Sequence, residues 1–235
     1  MAQGAIWKAI AGTLADEMAQ GLYPAGAKLP TEAALSARFG VNRHTVRHAL
    51  ADLAARGLVV SRRGAGVFVA SRPTDYAIGR RVRFNQNVTA AGQTPSRDLT
   101  RLETRPAAAH EAEALGLPPG APVQVVEGVS LADGQPLAMF CSVFPAMRFP
   151  DLLDALREVP SITAALAAAG LRDYTRASTR VTAKAAKPVQ ALRLRLTEGA
   201  PILRTVAVNV DGAGVPVEYG VTWFAGERVT LTLAT

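Results

Sequence analysis

Cysteine is almost absent from this sequence: Cys141 stands alone in 235 residues, which rules out an internal disulfide and a zinc site built from several thiolates. Long apolar runs are missing as well. No stretch reaches the roughly 18 apolar residues that a membrane-spanning helix needs. At the N-terminus, Lys8, Asp16 and Glu17 interrupt an amphipathic pattern where a secretory signal would carry a dense apolar block. The expectation is a cytoplasmic protein with no membrane partner and a buried, reduced Cys141. Aromatic residues make up 6 % and charged residues 19 %, against 49 % hydrophobic residues rich in alanine, so the composition is globular. Acidic residues are the last shortage, 19 against 26 Lys and Arg, for a net charge of +7. That excess suggests an anionic partner, and its distribution says more than its size. Residues 1–72 hold nine basic and four acidic residues, so under a third of the chain carries most of it.

The length suits two compact domains, and the first seventy residues are strongly patterned. Ile6, Ile10, Leu14 and Met18 recur every four positions along one helical stripe that ends at Gly21, Pro24 and Gly26. Leu29-Pro30-Thr31-Glu32 then opens a second helix: Thr31 can cap the first amides, and Glu32 sits at the positive end of the helix dipole. Gly40 stops it. Asn42 is a good N-cap for a third helix running to about Ala55 and closed by Gly57, and the short link between the two fits a helix-turn-helix.

Within helix three, Val46, Leu50 and Leu53 fall on one side, while His44, Arg47 and His48 project from a broad arc opposite and Arg43 flanks it. A donor-rich, acid-free stripe backed by an aliphatic one suits entry into the DNA major groove, where an arginine can take guanine in a bidentate fashion. A charge run in isolation is more often a solvated face. Here the context argues otherwise. Two short strands, 58–60 and 67–69, flank Ser61-Arg62-Arg63-Gly64-Ala65-Gly66 and read as a hairpin with a basic, glycine-bearing tip. Such a wing brings arginines and backbone amides to the sugar-phosphate chain, although Gly64 and Gly66 also serve plain turn geometry.

Leu-Pro-Thr-Glu at 29–32, the run Phe39 to Leu50, Leu-Ala-Ala-Arg-Gly-Leu-Val at 53–59 and Arg-Arg-Gly-Ala-Gly-Val-Phe-Val at 62–69 resemble the DNA-binding domain of the GntR superfamily over about residues 6–70. The resemblance implies that Thr31, Asn42, Arg43, His44, Thr45 and Arg47, with Arg62, Arg63, Gly64 and Gly66 in the wing, meet DNA. It does not transfer an operator sequence, since Asn42 and His44 stand where other residues are common.

Beyond an expected linker at 72–80, residues 81–235 alternate strands with a few helices. Strands 123–131 and 137–144 flank Ala132-Asp133-Gly134-Gln135-Pro136, and strands 202–210 and 215–224 flank Asp211-Gly212-Ala213-Gly214, so two antiparallel hairpins are predicted. Helices are expected near 108–116, 150–157, 161–169 and 185–195. Hairpins mixed with helices indicate an α+β domain. Leu115-Gly-Leu-Pro-Pro-Gly, Leu131-Ala-Asp-Gly-Gln-Pro, Gly199-Ala-Pro-Ile-Leu, Gly214-Val-Pro-Val-Glu-Tyr and Gly226-Glu-Arg resemble the effector-binding UTRA domain of the HutC branch. That resemblance implies a chorismate-lyase-like antiparallel sheet. More narrowly, Tyr76-Ala-Ile-Gly-Arg-Arg-Val-Arg-Phe, Phe144-Pro-Ala-Met-Arg-Phe-Pro and Asp173-Tyr-Thr-Arg-Ala-Ser-Thr-Arg are similar to regulators of phosphonate metabolism, the PhnF-like group. Sugar-phosphate sensors of the branch commonly carry two arginines on the strand entering the Ala-Asp-Gly turn; Gly128 and Ser130 stand there in this chain.

A phosphonate or phosphate ligand needs convergent donors. Ser161 and Thr163 open a predicted helix, Arg83 follows the linker, and Tyr174, Arg176 and Arg180 lie close together; these six are the candidate effector residues, against the plainer readings of a helix cap and exposed arginines. The expected protein is thus a winged helix-turn-helix regulator, a homodimer on near-palindromic double-stranded operator DNA, binding a small acidic effector without a cofactor. The resemblance implies a repressor. The alternatives are a second domain that senses a non-phosphorylated metabolite or only dimerises, and a chorismate-lyase-like enzyme. The enzyme reading is opposed by the isolation of Cys141 and His110 in sequence, and His44 and His48 lack the intervening glutamate of a zinc-protease helix.

Overall fold

Asn42 and Thr31, the two capping residues, set the geometry of the first seventy residues. In the computed structural model, which describes residues 3–62, 64, 66–70 and 73–233, Thr31 Oγ1 accepts from the Ala34 amide at 3.2 Å and Asn42 Oδ1 from the Thr45 amide at 2.9 Å. These bonds satisfy amides that the first helical turn leaves without carbonyl partners. They start helices α2 (Glu32–Phe39) and α3 (Arg43–Ala55), separated by Gly40 in the left-handed conformation. Helix α1 (Gln3–Ala19) packs against α3. Ile10 and Leu14 of α1 pack with Leu35, Val46, Leu50 and Leu53, and with Val59 and Val69 of the hairpin. Each such burial contributes about 1.5–3 kcal/mol. The hairpin pairs β1 (Val59–Arg62) with β2 (Gly66–Val69), antiparallel, from Val59 opposite Val69 to Arg62 opposite Gly66.

The chain divides into two units, Met1–Arg72 and Pro73–Thr235. The second is built on a six-stranded antiparallel sheet in the order β4-β5-β6-β9-β8-β7, comprising β4 (Pro95–Pro106), β5 (Pro122–Ala132), β6 (Gln135–Pro145), β7 (Thr175–Ala185), β8 (Pro201–Val210) and β9 (Pro216–Ala225). Both expected hairpins are present, the first turning at Asp133 and Gly134 with positive φ at each. Residues alternate between the sheet's faces. Phe140 and Phe144 of β6 pack under α6 (Leu152–Glu158) and α7 (Ile162–Ala168), whereas Val143 joins Leu115 of α5 (Ala109–Leu115) on the other face. Helix α8 (Pro188–Leu194) packs nearby through Ala191 and Leu194, which cluster with Ile202 of β8.

Part of the expected linker is structured. Residues 74–77 form β3 (Thr74–Ala77), which pairs in parallel with β10 (Val229–Thr232), and Tyr76 is buried with Phe84 of α4 (Phe84–Ala90). The pairing joins the start of the unit to its end. Helix α8 begins at Pro188 rather than 185 because β7 continues to Ala185 and proline fits the first helical turn. No helix among the described residues is long and apolar enough to cross a membrane.

Candidate functional sites

Helix α3 turns Val46, Ala49, Leu50 and Leu53 into the core and leaves Arg43, His44, Arg47 and His48 exposed. The donor stripe has a carboxylate beside it. Glu32, from the first turn of α2, accepts from Arg47 Nε at 3.2 Å and from its terminal nitrogen at 2.9 Å. The expectation of an acid-free stripe took only α3 into account, and helix packing supplies the acid from α2. Arg47 remains 67 % exposed, so this pair adds little stability but holds the guanidinium in one orientation. The Arg47 hydrogen bonds keep the Glu32 carboxyl below the usual glutamate range. His48 stacks on Trp7, with ring centroids 5.1 Å apart.

Thr31 and Asn42 are both exposed and act as caps, and the Thr45 hydroxyl donates to Asn42 Oδ1 at 3.0 Å. At the hairpin tip Gly64 and Gly66 have φ of 74° and 113°. A Cβ on Gly66 would lie 2.8 Å from Lys28 Cε, so glycine there leaves room for an exposed lysine that the sequence reading did not select. Arg62 belongs to β1. Arg63 lies outside the described residues.

In the second unit, a cavity of about 80 Å³ opens on the Phe140 face of the sheet. Four candidate residues line it: Arg83, Thr163, Tyr174 and Arg176. Arg83, its side chain 10 % exposed, stacks 3.6 Å over the Tyr174 ring, donates to the Tyr174 carbonyl at 2.9 Å and lies 3.8 Å from Asp173. Thr163 Oγ1 is 3.4 Å from the Tyr174 hydroxyl. Arg176 Nε donates to Asn209 Oδ1 at 2.8 Å. Asn209 Nδ2 donates to Glu218 Oε2 at 2.6 Å, and Ser142 Oγ donates to Glu218 Oε1 at 2.7 Å.

Arg97, like Glu218, was not selected from the sequence. Its guanidinium lies near the rings of Phe84 and Phe140, 5.3 and 5.1 Å from their centroids, and its buried Nε has no hydrogen-bond partner among the described residues. Burial lowers its pKa against the opposing pull of Tyr76, Glu218 and Tyr174. Burial also raises the pKa of Tyr76 and of Tyr174, so both line the cavity as neutral phenols. Arg97 sits opposite Ser130 in the β4–β5 register. At Gly128 a Cβ would come within 2.4 Å of the Asp98 carbonyl and 3.0 Å of the Phe140 ring. The strand entering the Ala-Asp-Gly turn thus has no room for a side chain at that position, and an arginine reaches the cavity from the neighbouring strand.

Two candidates do not join the cavity lining. Ser161 accepts from the Ala164 amide at 3.3 Å as the N-cap of α7. Arg180 lines a separate groove of about 410 Å³ with His110, Glu113 and Tyr219. The cause is a β-bulge: the register slips between Arg176 and Ser178, and one extra residue exchanges the faces of everything after it. Cys141 is half-buried, and burial pushes its thiol up to about 11, which keeps it a neutral thiol near pH 7.

Residues 7–69 match the profile of the bacterial regulatory proteins of the gntR family, and residues 90–230 match the UTRA domain. An uncharacterized HTH-type transcriptional regulator of Rhizobium meliloti (strain 1021) is 40 % identical over 98 % of this chain and 95 % of its own length. The probable transcriptional regulator PhnF of Escherichia coli (strain K12) is 33 % identical over 97 % of this chain and 94 % of its own. Among solved structures, PhnF from Mycobacterium smegmatis superposes with a TM-score of 0.66 at 27 % identity, covering 96 % of this chain and 98 % of that one.

Proposed function

The chain belongs to the GntR family of bacterial transcriptional regulators, in its HutC/PhnF-type branch with a UTRA effector domain, and from that premise we propose that it is a repressor released from its operator by a small phosphonate- or phosphate-bearing metabolite. Helix α3 enters the major groove with Arg43, His44 and Arg47 at the base edges, while Thr31, Asn42 and Thr45, with Arg62, Arg63, Gly64 and Gly66 of the wing, meet the backbone. One winged helix covers few base pairs. A homodimer on two inverted half-sites multiplies the discrimination.

The observation that carries the ligand assignment is Arg97, half-buried, whose buried Nε has no partner among the described residues, in a cavity shared with Arg83 and Arg176. A desolvated cation with unused donors is costly unless an anion meets it. A phosphonate group accepts several charge-assisted bonds at once, which suits three converging guanidinium groups. Coupling to DNA has a physical route, because Tyr76, Val82, Arg83 and Phe84 line the cavity and belong to the segment that leads directly out of the DNA-reading unit. A ligand that draws on these side chains shifts the equilibrium only by its difference in affinity for the operator-competent and operator-incompetent arrangements.

Selection from a pool of random duplexes tests the first half: enrichment of two inverted half-sites is expected, and Arg47→Ala should lower affinity for the selected duplex by about 1–3 kcal/mol with the melting temperature unchanged. Equal affinity of variant and parent for it would remove α3 from the reading role. Titration calorimetry with methylphosphonate and inorganic phosphate tests the second half, and no saturable heat from any phosphonate or phosphate would defeat it.

A further inference from the structure

The cavity carries both signs of charge, and its side chains hold them apart. Glu218 faces the same space as Arg83, Arg97 and Arg176, yet each of its oxygens takes a neutral donor, Ser142 Oγ on one and Asn209 Nδ2 on the other. Asn209 stands between the charges: its carbonyl accepts from Arg176 Nε while its amide donates to Glu218. Were the carboxylate there to neutralise an arginine, burial would favour a direct, bidentate pair of the kind Arg105 and Glu111 form in this same unit. A carboxylate offers about four acceptor sites, and the two hydrogen bonds leave about half of them for further donors. Among the described residues the carboxylate has no cationic partner and the Arg97 guanidinium no anionic one; both are half-buried, which makes each costly, and a ligand bearing both opposite charges relieves both.

Resting on the reading of this cavity as the effector site, we propose that the effector is a small zwitterion, whose phosphonate or phosphate group is taken by Arg97 with Arg83 and Arg176 and whose ammonium group is taken by Glu218. The ammonium brings three donors to the remaining acceptor sites of a carboxylate already fixed by Ser142 and Asn209. The cavity volume limits the separation of the two charges. By the measure in which a water needs about 10–15 Å³, the space of about 80 Å³ suits a short aminoalkyl chain rather than a sugar. The neutral ring and the hydroxyl groups of a sugar phosphate would leave Glu218 without a cation.

Calorimetry on the full-length protein with two ligands of matched size, 2-aminoethylphosphonate and 2-hydroxyethylphosphonate, separates the readings without any substitution. The amine is expected to bind about tenfold more tightly or better, since the bond gained is charge-assisted at both ends. Glu218→Gln should collapse that ratio toward one. Equal affinities in the parent protein, or a ratio that survives Glu218→Gln, would overturn the zwitterion assignment and leave the anion site standing. Failure of both ligands, and of methylphosphonate and inorganic phosphate, would remove the anion site and this inference with it.

Discussion

Arg97 concentrates the conflict between stability and function at the scale of one side chain. Its planar head lies near the Phe84 and Phe140 rings, which compensates part of the desolvation, but Nε has no acceptor among the described residues. Replacing a half-buried cation whose Nε has no partner among the described residues by an apolar residue of similar length removes that cost. Arg97→Met is therefore expected to melt at or above the temperature of the parent protein in the absence of ligand. Ligand affinity moves the other way: the loss of charged hydrogen bonds worth about 1.5–3 kcal/mol weakens phosphonate binding roughly ten- to a hundredfold. Thermal melts with and without phosphonate measure both quantities in one series. A variant that melts lower yet keeps the ligand-induced shift would make Arg97 a structural residue only. Arg47 and Glu32 show a milder form of the same tension, since the guanidinium proposed to read bases is paired with a carboxylate that it would have to share or release when a guanine arrives.

At the scale of elements, helix α5 depends on Glu111. Its carboxylate accepts both terminal nitrogens of Arg105 at 2.7 Å and the Ala108 amide at 2.8 Å, and the Arg105 hydrogen bonds hold its carboxyl below the usual range. A carboxyl depressed in the folded state adds stability at pH above its unfolded value, about 4.3, and that contribution drains away as pH falls through the folded value. Glu111→Gln should therefore melt lower than the parent near neutral pH, with the gap narrowing as the pH is taken below about 4; a gap independent of pH would detach the effect from ionisation. How far such elements can be read from residue order depends on their burial. The strands β5, β6, β8 and β9, at the centre of the sheet, are rich in apolar residues and bounded by turn residues, and were legible. The edge strands were not. In β4 and β7, arginine, threonine and serine dominate on both faces, so no apolar alternation announces a strand. Arg97 was lost with β4, because its place in the cavity follows from the Ser130 pairing, which residue order does not reveal. Arg180 was misplaced because residue order does not show the bulge after Arg176. Glu218, by contrast, lies within the Gly214-Val-Pro-Val-Glu-Tyr motif, but an anionic ligand calls for donors and gives no reason to single out a carboxylate.

The two units of the whole molecule communicate only if the ligand and the operator each prefer a different arrangement of it, and that preference is reciprocal by thermodynamic necessity. If a phosphonate lowers operator affinity by some factor, saturating operator must lower phosphonate affinity by the same factor, typically about 5–150-fold. The measurement uses one protein preparation: anisotropy of a labelled operator duplex with and without ligand, then calorimetry of the ligand with and without duplex. Matching factors are expected, with weaker binding in each doubly liganded case. Arg97→Met supplies the internal control, because it should retain operator affinity, with α3 and the wing untouched, while its operator complex becomes insensitive to phosphonate. Identical ligand affinity for free and operator-bound protein would mean that the cavity, whatever it holds, does not govern DNA binding. The second unit would then be left with dimerisation as the only contribution to regulation that this scheme provides.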